Sequence, residues 1–239
     1  MEEEVPVKDP GAQREQGREA LTQESPVTAR QRRQMVDTQI RGRGIRDARV
    51  LEVMFAVPRH EFVGPDHRHQ AYDDCPLPIA AEQTISQPYM VAAMSQALLL
   101  KGFETVLDVG TGSGYQAAVL ALLAKKVISI EREPALVEWS RAVLARLGLM
   151  DRVTLVEGDG TRGYAAGAPY DGIVVGAGAP DVPASLVEQL AEGGRLVIPV
   201  GDLRTQELFL VRKIGGHVDR RTINSCRFVP LVGAEGWKA

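Results

Sequence analysis

Cysteine is nearly absent from this chain of 239 residues: Cys75 and Cys226 are the only two. Two thiols are too few for a disulfide framework, and neither belongs to a CxxC pair or a Cys/His cluster with metal spacing. Both are expected to be buried, reduced thiols. Aromatic residues make up only 5%, and no apolar run reaches the about 18 residues of a membrane span. The opening Met1-Glu2-Glu3-Glu4 lacks the basic and apolar regions of a secretory signal. A cytoplasmic location and no membrane partner are expected. A strong charge of either sign is also missing. The net charge of −3 and pI near 5.9 give no reason to expect nucleic acid and favour a small organic or peptide substrate.

What is present points to a looped α/β protein, with 24 Gly and 14 Pro spread along a chain long enough to bury a full core. Residues 1–29 carry seven acidic and three basic side chains with no aromatic, a composition expected of a disordered tail. From Arg30 to Arg49 seven arginines face only Asp37 and Asp47, which reads as a solvated helical face or as a patch for anionic partners. Asp47 suits the cap of a helix ended by Pro58. Residues 30–239 are expected to form one catalytic domain, with 30–100 as a helical cap.

Strands and helices then alternate. Thr105–Gly110, Lys126–Glu131, Val153–Gly160, Tyr170–Gly178 and Gly194–Gly201 read as strands, apolar on both faces, with helices over Ser113–Ala124, Glu133–Gly148 and Pro183–Leu190. Such strands belong in a parallel sheet covered by helices on both faces. Glu207–Ile214 and Thr222–Val232 have no helix between them and are expected to close the sheet as an antiparallel pair.

The turn "DVGTGSG" sets Gly110, Gly112 and Gly114 between a strand and a helix, where the backbone can approach a ligand closely. Glu131 ends the next strand and suits a ribose diol. Asp159 ends the third and suits an exocyclic amine such as that of adenine. A dinucleotide needs G-x-G-x-x-G for its pyrophosphate, and Tyr115 directly after Gly114 leaves the spacing one residue short. Asp108 suits the ammonium of an amino acid better than a pyrophosphate, so S-adenosylmethionine is favoured over NAD as the cofactor.

Upstream lies "AEQTISQPYMVAAM". Ser86 suits the N-cap of a helix with Pro88 in its first turn, or it touches a substrate; no base accompanies it. His67 and His69 have no third ligand nearby, which leaves surface histidines and no metal. His60 reads as a structural polar contact, and Trp139 as packing within a helix.

"LDVGTGSGYQ", "EGDG", "APYDGIVV", "LAEGGRLVIPVG", "RFVPLV" and "QTISQPYMVAAM" together closely resemble the protein-L-isoaspartate (D-aspartate) O-methyltransferases, from about Arg32 to Val232. The resemblance implies a class I S-adenosylmethionine-dependent, Rossmann-like fold. It implies methyl transfer from S-adenosylmethionine to the α-carboxylate of L-isoaspartyl residues in damaged proteins, a repair enzyme, and isoaspartyl proteins and peptides as partners; a monomer is expected. It assigns Ser86 as the active-site residue, with Thr84, Ile85, Val229 and Pro230 at the substrate. Asp108, Gly110, Thr111, Gly112, Ser113, Gly114, Glu131, Arg132, Asp159 and Gly160 fall to the cofactor. Many members carry glycine near Ala80 and Glu82, so a loop that needs φ > 0 there would have to bend differently in this chain. The rival readings are a methyltransferase for small molecules or RNA and a non-catalytic binding module.

Overall fold

The computed structural model describes residues 25–238. The expected tail over 1–29 is corrected at its end. Ser25 caps helix α1, Pro26–Gln34, its hydroxyl accepting from the Thr28 N–H, while residues 1–24 lie outside the described part. A wide turn over Met35–Ile40 follows. Helix α2, Ala48–Ala56, starts where Asp47 accepts from the N–H groups of Arg49 and Val50, and Val57 caps its other end before Pro58.

A short antiparallel pair comes next, β1 (Leu77–Pro78) and β2 (Thr84–Ile85). Its turn puts Ala81 and Glu82 at φ +55° and +56°, with Gln83 N–H donating to the Ala80 carbonyl. The loop thus makes a left-handed bend without glycine; Ala80 itself has no such φ. Left-handed φ costs an L-residue about 1–2 kcal/mol, against about 0.5–1 kcal/mol of extra chain entropy for glycine. Glu82→Gly is accordingly expected to stabilise the protein by about 0.5–1 kcal/mol, read as a higher urea midpoint with an unchanged slope. A lower midpoint would contradict it.

Helix α3 covers Pro88–Leu98. Strand β3 (Thr105–Val109), helix α4 (Tyr115–Leu123), β4 (Lys126–Glu131), α5 (Pro134–Arg146), β5 (Val153–Glu157), β6 (Tyr170–Val175), short α6 (Ala184–Glu188) and β7 (Leu190–Gly201) carry on the alternation. Strands β8 (Gln206–Ile214) and β9 (His217–Cys226) follow as a hairpin. The sheet runs β5-β4-β3-β6-β7-β8-β9, parallel through β7 and antiparallel at β8 and β9. Side chains alternate between its faces. Val106 and Val127 pack beneath the N-terminal helices, α3 and α4, whereas Leu107, Val109, Ile128 and Ile130 pack on the other face with Leu186 of α6.

The last strand ends earlier than the sequence suggests. Beyond Cys226 the Phe228 N–H donates to Gln206 Oε1, and Pro230 has no N–H for a ladder. Residues 227–232 therefore leave the sheet, and Gly178 pairs with them instead: its N–H donates to the Val229 carbonyl, and its carbonyl accepts from Leu231 N–H.

Candidate active site

The chain turns from β3 to β4 and β5 on one side and returns to β6 on the other, so β3 and β6 flank the switch point where open α/β sheets bind ligands. Two glycines make that crevice. Gly110 (φ +86°) follows β3, and Gly176 follows β6 with its N–H on the Val109 carbonyl. A Cβ on Gly176 would sit 3.3 Å from the Gly110 carbonyl oxygen.

The glycine loop is anchored to β4. Gly110 and Thr111 N–H donate to the Ile130 carbonyl, and Gly112 N–H donates to Glu131 Oε2 at 2.9 Å. Glu131 Oε1 accepts from the N–H groups of Arg132 and Glu133. Three backbone donors thus fix this buried carboxylate and leave about one of its four acceptor directions for a ligand hydroxyl.

Asp108 is fully buried beneath the loop. Its Oδ2 accepts from Ser129 Oγ at 2.7 Å, and Ser129 stands opposite it in the β3–β4 register. With that proton committed, Ser129 Oγ accepts in turn from Thr111 Oγ1 at 2.6 Å. Asp108 Oδ1 has no partner among the described residues. Burial pushes this carboxyl up to about 7, against the pull of the Ser129 hydrogen bond and with a further push from Glu131. An orphaned carboxyl oxygen in such a place fits an ammonium group, and the anchored Glu131 fits a sugar hydroxyl. The donor set suits an amino acid joined to a nucleoside.

Gly110, Gly112, Glu131, Arg132 and Gly160 line one cavity, and Pro230, expected at the substrate, lines this one and not the larger cavity described below. Asp108, wholly covered by the loop, does not line this first cavity, nor do Thr111, Ser113 and Gly114. Thr111 steadies Ser129, Ser113 Oγ accepts from Tyr115 N–H at the start of α4, and a Cβ on Gly114 (φ +87°) would sit 3.1 Å from Ser140 Cβ of α5. Asp159, expected to meet an exocyclic amine, is not on the cavity wall either, and three of its acceptor directions are taken within the protein. Its Oδ1 accepts from the Thr161 N–H and hydroxyl, and its Oδ2 accepts from Ala234 N–H. Desolvation raises its pKa, but these bonds outweigh it and hold the carboxyl below its ordinary value.

A second, larger cavity of about 220 Å³ lies alongside, lined by Thr84, Ser86, Tyr89, Asn224, Arg227 and Val229 among others. Thr84, Gly176 and Val229 belong to both cavities. Ser86 is half-buried and does not cap α3, whose N-cap is Gln87 without a side-chain bond. The capping reading is thereby corrected, and the hydroxyl is left facing the cavity. Ile85 is corrected too: strand alternation turns it inward, 3% exposed, into the core.

Ser129, Gly176, Arg43, Tyr89 and Asn224 escaped the sequence reading. Ser129 had a signal, a lone polar residue inside the apolar strand "KVISIE". The others become neighbours only through the fold. His60 Nδ1 pairs with the Tyr72 hydroxyl at 2.7 Å, Trp139 packs against the core, and His67 and His69 sit on a short turn at Pro65–Gln70. Cys75 and Cys226 are free and half-buried. Burial, helped by Glu207, pushes the Cys226 thiol up to about 11, too high to serve as a nucleophile.

The model of the protein-L-isoaspartate (D-aspartate) O-methyltransferase family matches residues 30–236. A protein-L-isoaspartate O-methyltransferase of Methanoregula boonei is 51% identical over 208 residues, covering 87% of this chain and 95% of its own. One from Geobacter metallireducens is 54% identical over 207 residues, covering 86% and 95%. A Plasmodium falciparum protein of the same description, solved with S-adenosyl-L-homocysteine, superposes with a TM-score of 0.74 at 28% identity, covering 84% of this chain and 98% of its own. Sequence and fold agree, and this chain belongs to the protein-L-isoaspartate (D-aspartate) O-methyltransferase family.

Proposed function

We propose that this chain transfers the methyl group of S-adenosylmethionine to the α-carboxylate of L-isoaspartyl residues in damaged proteins, and that its two joined cavities divide that task. The observation that carries this reading is the shared wall. Thr84, Gly176 and Val229 line both cavities, so a group held in one can face a group held in the other.

On the cofactor side Asp108 would take the ammonium and Glu131 a ribose hydroxyl. Gly110, Gly112, Arg132 and Gly160 supply the walls, and Thr111, Ser113 and Gly114 set the loop's shape. Bound there, S-adenosylmethionine supplies a methyl group on a positively charged sulfur. On the substrate side Ser86 donates its hydroxyl to one carboxylate oxygen and so aims the other, while Thr84 and Val229 confine the peptide.

No base is needed. A peptide carboxylate with a reference pKa near 3.5 is already ionised at neutral pH. Attack on the sulfonium cancels charge, so the residues have to position and partly desolvate the nucleophile. A tight ion pair would weaken it, whereas a neutral hydroxyl holds it without that cost.

Residues 30–239 act in this reading as one catalytic domain. The segment over 30–100 places Arg43, Thr84, Ser86 and Tyr89 at the larger cavity. We take it to be a monomer of the cytoplasm, with damaged proteins and not nucleic acid as its partners. The net charge of −3, the two free thiols and the lack, among the described residues, of a helix able to cross a membrane support this.

Labelled methyl transfer tests the reaction: an isoaspartyl peptide should accept label and its normal aspartyl twin should not. Equal labelling of both, or of neither, would overturn it. Ser86→Ala is expected to lower kcat about 10- to 100-fold, as for loss of a hydrogen bond to a charged group, with the affinity for S-adenosyl-L-homocysteine kept. Lost affinity with kcat intact would reverse the assignment.

A further inference from the structure

The mouth of the larger cavity has an uneven charge. Its described lining includes two arginines, Arg43 and Arg227, and no aspartate or glutamate. Arg227 is exposed. Arg43 is held in place from two sides: Nη1 donates to Asp74 Oδ2 at 2.8 Å, and its guanidinium lies 3.6 Å from the centre of the Tyr89 ring. Each of these partners is steadied in turn. Gln87 Nε2 donates to the Asp74 carbonyl at 3.0 Å, and Asn224 Nδ2 donates to the Tyr89 hydroxyl at 3.3 Å.

A guanidinium has five N–H donors in a rigid plane. Asp74 takes one of Arg43's and balances part of its charge, while stacking on Tyr89 fixes the plane beside the cavity. This ordering lowers the entropy cost of recruiting the remaining donors to a ligand. The side chain is 44% exposed, so it lies within reach of a peptide that enters the cavity and yet does not bury a charge against the reacting carboxylate.

We propose that Arg43 is a specificity-determining residue, whose ordered guanidinium favours isoaspartyl peptides with a negatively charged residue flanking the damaged link. This rests on the methyltransferase reading above. The same arrangement makes Arg43 a positioning residue, not a catalytic one, since it acts on the flank of the substrate and not on the reacting atoms.

The test uses the full chain and synthetic isoaspartyl peptides identical except for Glu or Lys two residues before or two residues after the link. The ratio of kcat/KM, Glu over Lys, is the readout. On one side at least, the wild type is expected to favour Glu about fivefold at low salt, the scale of a single exposed charge pair, with the preference shrinking as salt rises. Arg43→Gln is expected to bring that ratio down to the level left by Arg227 alone, and Arg43→Lys to restore part of it. Because each ratio compares two substrates on one enzyme, a general loss of folding or turnover cancels. A wild-type ratio of one or less on both sides, or a ratio that Arg43→Gln leaves unchanged, overturns the proposal. If the wild type methylates neither peptide, the reaction assignment itself fails and takes this proposal with it, a result distinct from label without preference.

Discussion

Asp108→Asn should weaken binding of S-adenosyl-L-homocysteine by about 100-fold or more near pH 8, the scale of removing one partner from a buried charge pair. The size follows from the site. Asp108 is fully buried, one oxygen is held by Ser129, and the other has no partner among the described residues. A cationic ammonium brought to that oxygen would meet a negative charge away from water, and asparagine offers it only a dipole.

The effect should depend on pH in a defined direction. Without ligand, burial raises the Asp108 carboxyl from 3.8 to about 7. A bound cation favours the ionised form, so below about pH 7 binding must release a proton, and affinity falls roughly tenfold per pH unit. The wild type and Asp108→Asn should therefore converge as the pH drops toward about 5, and calorimetry in buffers of different ionisation enthalpy should record close to one proton released near pH 6. The ligand-free protein supplies a check on sign. Its folded carboxyl titrates later than the unfolded one, so this group's contribution to stability is largest below about pH 4 and is lost as the pH rises through about 7. Parallel affinity curves for the two proteins would remove Asp108 from the cation site.

Asp159→Ala is expected to cost about 3 kcal/mol of stability, the scale of losing hydrogen bonds to one charged acceptor, and to lower cofactor affinity only as a consequence. Its carboxylate holds two backbone N–H groups and a hydroxyl, one of them on the C-terminal segment at Ala234. That segment has further ties. Glu235 N–H donates to Thr161 Oγ1, the Glu235 carboxylate accepts from Ser185, and Trp237 Nε1 donates to the Gly178 carbonyl. The fit is close: a Cβ on Gly233 would lie 2.0 Å from Asp159 Oδ1. Upstream, Leu231 and Val232 line the cofactor cavity, so slackening the segment would loosen one cavity wall. In a Trp139→Phe background, Trp237 fluorescence should shift to the red in Asp159→Ala. Lost cofactor affinity with unchanged Trp237 emission and unchanged urea midpoint would mean that Asp159 meets the ligand directly.

Asp159 also marks where sequence reasoning stops. An acidic residue at a strand end in "GDG" is a fair candidate for a ligand contact, and nothing local says that a segment some 75 residues later takes one of its oxygens. The sheet was legible because buried parallel strands are apolar on both faces and because Gly110, Gly112 and Gly114 sit between a strand and a helix. Glu131 was legible for the same reason, since strand ends in such sheets gather at one edge. Ile85 was misread because a two-residue strand is too short for its period to show which side chain turns inward. Ser86 was ambiguous because capping and substrate contact call for the same hydroxyl, and the choice depends on whether the N-cap falls one residue later, at Gln87. Arg43 and Asn224 meet around Tyr89 through the packing of the N-terminal helices on the far edge of the sheet, which no local pattern encodes.

The wall shared by the two cavities has a consequence for the timing of activity. Thr84 comes from the hairpin before the sheet, Gly176 from its middle, and Val229 from the segment after its last strand. During synthesis on the ribosome the first two are in place long before the third is made. A nascent chain with its glycine loop already closed would still have an open floor between methyl donor and acceptor. Activity should therefore switch on late and in one step, and a single nick between Gly176 and Val229 that lets the ends separate should silence the enzyme even though most of the sheet survives.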